Sequence, residues 1–133
     1  HIQGQCGSCW AFATVASIEA ANAIKTGQLT RLSEQEMVDC DTQNNGCQGM
    51  NVTKSMYSYR SGIFAPSKTD CEQHSMGSHA LTFVGYGTEN GQPYWLVKNS
   101  WGTYWGQAGY FKLARGQNAC GAANSVVGPI MRK

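Results

Sequence analysis

The chain has 133 residues, 41% of them hydrophobic and 14% charged, with a net charge of +2. That length can bury about two-thirds of its surface. The near-neutral balance lacks the basic stripe of a nucleic-acid binder, and no apolar run is long enough to cross a bilayer. Six cysteines with so few charges point to the secretory route, lysosomal or secreted. Sixteen glycines suit a loop-rich fold in which backbone approaches substrate.

The first predicted element is a helix over Cys9 to Lys25, in which Trp10, Phe12, Val15, Ile18, Ala21 and Ile24 recur at three- and four-residue steps. Gly27 stops it, with Lys25 in the last turn. Cys9 therefore stands at the helix N-terminus, where unpaired N–H groups and the macrodipole favour an anion. A thiol with a pKa of about 8.5 needs that help, and an imidazole besides, to act as a nucleophile. Taken alone, Cys6-Gly-Ser-Cys9 also fits a redox pair or half a zinc site, although only five residues precede Cys6. Ser33-Glu-Gln-Glu36 is a capping box for a short helix through Asp39. Glu19, Glu34 and Glu36 read as a solvated helix face. Asn51-Val-Thr53 is a glycosylation sequon.

Of the three histidines, His1 is terminal and His74 lies in a polar stretch. His79 opens Ala80-Leu-Thr-Phe-Val-Gly-Tyr-Gly87, which reads as a buried strand. Asn90-Gly91 is a hairpin turn, and Pro93 to Lys98 the return strand, ending in Asn99-Ser-Trp-Gly102. Such a hairpin brings His79 and Asn99 to one end of a sheet. Gly87 and Gly91 read as turn residues, and Gly109 to Ala114 as a further strand.

Five blocks together resemble the papain-like cysteine proteases, cathepsin L-type enzymes above all: Gln3-Gly-Gln-Cys-Gly-Ser-Cys-Trp-Ala-Phe12, Leu32 to Cys40, Gly46-Cys-Gln-Gly49, Ser78 to Gly87 and Val97 to Gly106. The resemblance implies an α+β, papain-like two-domain fold: a helical half, 1–56, with the catalytic cysteine, facing a β-barrel-like half, 57–133, with the histidine and asparagine. It implies peptide-bond hydrolysis with Cys9 as nucleophile, His79 as base and acid, and Asn99 orienting the imidazole. Gln3 and the Cys9 amide would form the oxyanion hole, and Trp101 would cover the His–Asn hydrogen bond. Gly7, Gly49, Met50, Ser78 and Trp101 would line the substrate cleft. The same resemblance pairs Cys6 with Cys47 and Cys71 with Cys120, leaving Cys40 without a partner, and makes Asn51 the glycosylation site. It implies a monomer made as a zymogen, with protein or peptide substrates, its own propeptide or cystatin-like inhibitors as partners, and no metal or organic cofactor. Activity should favour mildly acidic, reducing conditions.

The chain departs from that family in spacing. The family's histidine and asparagine follow the cysteine by roughly 130–150 residues, whereas His79 and Asn99 follow Cys9 by about 70 and 90. An internal deletion is expected between about residues 50 and 57, removing a helix of the first half and the first strands of the second. The family also has a short segment before Gln3, so the chain reads as part of a longer precursor. Met50 stands where the family usually has a second glycine, and its side chain is expected to crowd the substrate backbone. The alternative to an active endopeptidase is a truncated, catalytically impaired product that binds rather than cleaves.

Overall fold

The computed structural model describes residues 9–32, 50–124, 126 and 128–129. Helix α1 spans Cys9–Thr26. Gly27 ends it at φ 74°, with its N–H bonded to the Ala23 carbonyl at 2.8 Å, a conformation that glycine adopts without strain. Its buried line runs through Ala11, Val15 and Glu19, four residues apart. The predicted apolar face is tilted from this line, and Ile24 in the last turn is 87% exposed. Glu19 is not the solvated residue expected. It is buried because its carboxylate accepts the Leu32 N–H at 2.7 Å, where the chain folds back past the helix.

The β-rich part begins with β1 (Met50–Thr53) and a short helix α2 (Lys54–Tyr57). Strand β2 (Ile63–Phe64) and α3 (Lys68–Gln73) follow, the latter capped by the Ser67 hydroxyl accepting from the Asp70 N–H. Strands β3 (Ser75–His79), β4 (Thr82–Glu89), β5 (Gln92–Lys98) and β6 (Tyr110–Ala114) complete it, with a 3₁₀ turn at Ala119–Gly121. β1 and β3 form an antiparallel pair, and the other strands form a sheet in the order β2-β6-β5-β4.

The β4–β5 hairpin follows from its turn. Asn90 and Gly91 both have positive φ, 50° and 78°, which a two-residue loop between twisted strands requires and which this dipeptide tolerates. Gly87 is not a turn residue. It lies within β4 opposite Tyr94, whose ring would be 2.6–3.1 Å from any Cβ there.

The main core gathers around Phe111, Met56, Leu113 and Val97, none more than 1% exposed. Truncating such side chains to alanine costs about 2–5 kcal/mol each. Met50, Val52 and Met56 belong to this core, so the stretch 50–57 packs with the β-rich residues that follow it. The Cys71–Cys120 disulfide fastens α3 to the 3₁₀ turn at its edge.

Candidate active site

The hairpin register decides which residues meet. Thr82, at the start of β4, pairs with Lys98, at the end of β5. His79 therefore lies just before one strand and Asn99 just after the other, at the same end of the sheet. The Asn99 N–H donates to the Gly109 carbonyl at 2.9 Å, fixing its backbone. The Ser100 N–H donates to Asn99 Oδ1 at 2.8 Å, fixing its side chain. That same oxygen lies 2.7 Å from His79 Nε2. Since Oδ1 only accepts, Nε2 holds the proton and Nδ1 is left as the basic nitrogen of the neutral ring. Both residues are buried.

Helix α1 reaches this corner at its first residue. Cys9 is 2% exposed and not disulfide-bonded. Its Sγ accepts the Ala80 N–H at 3.3 Å, from the residue next to His79. One turn along, the Thr82 hydroxyl donates to the Ala13 carbonyl at 3.1 Å. The helix is thus tied to the histidine's segment by two bonds, one of them to the sulfur. Burial holds the His79 imidazole below the ordinary 6.5, and the bond to Asn99 offsets this only in part. A buried neutral base beside a thiol at a helix N-terminus can take the thiol proton when the resulting pair of charges offsets the loss of hydration.

Trp101 stacks on the His79 ring, centroids 5.1 Å apart and planes at 20°. Trp105, buried in the core, meets Trp101 edge-on at 5.0 Å and donates its Nε1–H to the Met56 carbonyl. Met50 stands opposite His79 in the β1–β3 ladder. Its side chain turns into the core and is 2% exposed. Ser78 is exposed and pairs with Asn51. The sequon's Asn51 is half-buried, its side-chain amide donating to the Cys71 carbonyl at 3.4 Å, and Thr53 is fully buried. Gln3, Gly7, Gly49, Cys6, Cys40 and Cys47 lie outside the described residues. Tyr57 was missed by the sequence reading. Its ring lies parallel to Trp101 at 4.8 Å. Only the nearby run of aromatics, Tyr57-Ser-Tyr59, hinted at it.

Among the described residues no three His, Cys, Asp or Glu side chains converge to hold a metal ion. No described helix is long and apolar enough to cross a membrane.

The family described as "Papain family cysteine protease" matches the chain in two pieces, residues 1–56 and 49–130. The probable cysteine protease RDL6 of Arabidopsis thaliana is 33% identical over 199 residues, taking in 96% of this chain and 56% of its own length. Pro-cathepsin H of Bos taurus is 33% identical over 200 residues, with 96% and 59% covered. Digestive procathepsin L 3 of Tenebrio molitor superimposes with a TM-score of 0.76 at 26% identity, over 92% of this chain and 62% of that one. The chain thus spans little more than half the length of these curated relatives. Each alignment is longer than the chain itself, so a long stretch of each relative has no counterpart here, and the two matched pieces meet at 49–56.

Proposed function

The chain belongs to the papain family of cysteine proteases, and from that premise we propose that it hydrolyses peptide bonds through Cys9. One observation carries the reading: Cys9 Sγ is hydrogen-bonded to the residue beside His79, whose Nε2 is in turn bonded to Asn99. In the proposed cycle His79 takes the Cys9 proton on Nδ1, and the thiolate adds to the substrate carbonyl. The oxyanion is held by the Cys9 N–H at the start of α1 and by the Gln3 side chain. The tetrahedral adduct collapses with His79 protonating the leaving amine, and water then hydrolyses the thioester with His79 as base. Asn99 keeps the imidazole in the tautomer that presents Nδ1, and Trp101 shields their hydrogen bond from water.

Protein or peptide substrates, a propeptide or cystatin-like inhibitors as partners, and a lysosomal or secreted location extend the same reading. So do the Cys6–Cys47 bridge, a Cys40 left without a partner, a glycan on Asn51, and a cleft lined by Gly7, Gly49, Ser78 and Trp101. Met50, expected to crowd the substrate, instead places its side chain in the core. Hydrolysis of a fluorogenic dipeptide amide, lost in Cys9→Ala, tests it, together with stoichiometric labelling of Cys9 by an epoxysuccinyl inhibitor.

The two-piece match favours a second reading. A chain lacking the stretch between the pieces would keep the family's fold and bind a propeptide or inhibitor without turnover. Inhibitor labelling at stoichiometry with measurable hydrolysis would remove that reading, and binding without either would establish it.

A further inference from the structure

Trp101 stacks with two rings, His79 at 5.1 Å and 20° and Tyr57 at 4.8 Å and 3°. Tyr57 is itself placed by its neighbour. Met56 is fully buried, and its carbonyl accepts the Trp105 Nε1–H at 3.1 Å, so α2 is anchored to the ring that meets Trp101 edge-on. Tyr57 remains half exposed, so burial of its own surface is not what holds it there. A parallel stack adds attraction beyond area burial and favours a flat indole.

We propose that Tyr57 is a positioning residue for His79, acting through Trp101: it clamps the indole flat over the imidazole and so keeps the His79–Asn99 hydrogen bond dry. The proposal rests on His79 as the base of the reading above, but its consequence is local and measurable without turnover. Without the Tyr57 ring, Trp101 loses this stack and can tilt. Water then reaches the His79–Asn99 bond, and the desolvation that lowers the imidazole's affinity for a proton is relieved. Among the described residues, Asn99 after β5 is hydrogen-bonded to His79 and Trp101 is stacked on it, both neutral. The titratable Cys9 of α1 is bonded to the next residue, Ala80, and Met50 of β1 is the neutral backbone partner of His79. The Tyr57 phenol of α2 belongs to the ring stacked on Trp101.

The test uses the whole chain with Cys9→Ser, so that no thiolate contributes, and follows the histidine ring nitrogens by NMR from pH 4 to 9. In Tyr57→Ala the His79 midpoint should rise toward 6.5, and the signature of a single Nε2–H tautomer should weaken. Tyr57→Phe should keep the parent midpoint, because the ring and not the hydroxyl makes the stack. Tyr57→Leu fills similar volume without a plane and should reproduce the alanine shift, which separates positioning from general loss of packing. With Cys9 restored, kcat should fall by about tenfold or more with KM little changed. An unchanged midpoint in both Tyr57→Ala and Tyr57→Leu overturns the proposal, as does a shift in Tyr57→Phe equal to that in Tyr57→Ala. A chain with no peptidase activity removes the proposed function and leaves the NMR outcome to decide this one.

Discussion

The Ala80 N–H donates to Cys9 Sγ across 3.3 Å, joining the first residue of α1 to the residue that follows His79. An amide donor stabilises a thiolate more than a thiol, and this one ties the sulfur to the segment that carries His79. Ala80→Pro removes this donor. The residue before a proline must be extended, and His79 already ends a strand. The ring Cδ, however, takes the place of the N–H that points at Cys9 Sγ, so the variant removes the whole contact and not the donor alone. A hydrogen bond to a charged group contributes about 1.5–3 kcal/mol. The pH midpoint for alkylation of Cys9 by iodoacetamide should therefore rise by about one unit or more in Ala80→Pro. An unmoved midpoint would show that the amide does not support the anion.

Asn99 should matter through the ring it orients. Asn99→Ala deletes the acceptor for His79 Nε2 and the partner of the Ser100 N–H at once. The His79 midpoint should fall further, since burial then acts without the offsetting bond. Asn99→Asp places a carboxylate against His79 Nε2 and should raise the midpoint above 6.5. Histidine NMR of both variants checks the opposite signs, and kcat/KM should drop in each, by about tenfold to a hundredfold in Asn99→Ala.

Stability should vary with pH in the sense set by a depressed histidine. His79 binds its proton more weakly folded than unfolded, so the unfolded chain holds more protons as pH falls through 6.5. The contribution from the neutral buried ring is therefore complete above 6.5 and is lost below it, toward the lower folded midpoint. In a Cys9→Ser background, urea midpoints should decline from pH 7.5 to pH 5, and His79→Gln should flatten that decline. Parallel curves for the two proteins would contradict the assignment.

Cys9, His79 and Asn99 could be singled out in the sequence because each stands at the end of a strongly marked element. Cys9 opens an apolar periodic run, His79 precedes a β-rich run, and Asn99 closes a hairpin whose Asn90-Gly91 turn fixes its register. The turn brings His79 and Asn99 toward the same end, but other contacts set their final positions: the register shift between Phe83 and Gly85, the β1–β3 pairing of His79 and the Gly109 carbonyl that holds Asn99. Glu19 and Tyr57 were not legible, for opposite reasons. Glu19 is buried where Leu32, thirteen residues on, brings an N–H to it. The ring of Tyr57 finds Trp101, forty-four positions away, because Met56 beside it is anchored in the core. Gly87 misled because a glycine facing an aromatic across a ladder resembles a turn glycine when read alone.

The Cys71–Cys120 bridge closes a loop with a sequence separation of 49. Chain-entropy arguments assign such a loop about 4 kcal/mol of stabilisation through the unfolded state. The double variant Cys71→Ala, Cys120→Ala should lose roughly that amount in urea unfolding, with a further cost because both sulfurs are buried in the core. The His79–Asn99 NMR signature should persist below the new midpoint, since neither residue touches the bridge. Its loss under native conditions would mean that the bridge shapes the site as well as supporting the fold.

Gly106 and Gly116 form a matched pair for separating backbone strain from steric contact. Both have positive φ, 59° and 93°. A Cβ on Gly116 would meet nothing within 4 Å, whereas one on Gly106 would lie 2.6 Å from the Tyr110 carbonyl oxygen and 3.3 Å from the Tyr59 ring. The Tyr110 carbonyl cannot retreat freely, because it accepts the Gln107 N–H at 2.9 Å. Gly116→Ala should therefore cost only the left-handed backbone penalty, about 1–2 kcal/mol. Gly106→Ala should cost that and about 1–3 kcal/mol more for the forced shift. The displacement would reach the loop that carries Trp101 and Trp105, so Gly106→Ala should also slow Cys9 alkylation at neutral pH while Gly116→Ala leaves it unchanged. Equal losses of stability in the two variants would show that the loop yields to the added methyl without resistance.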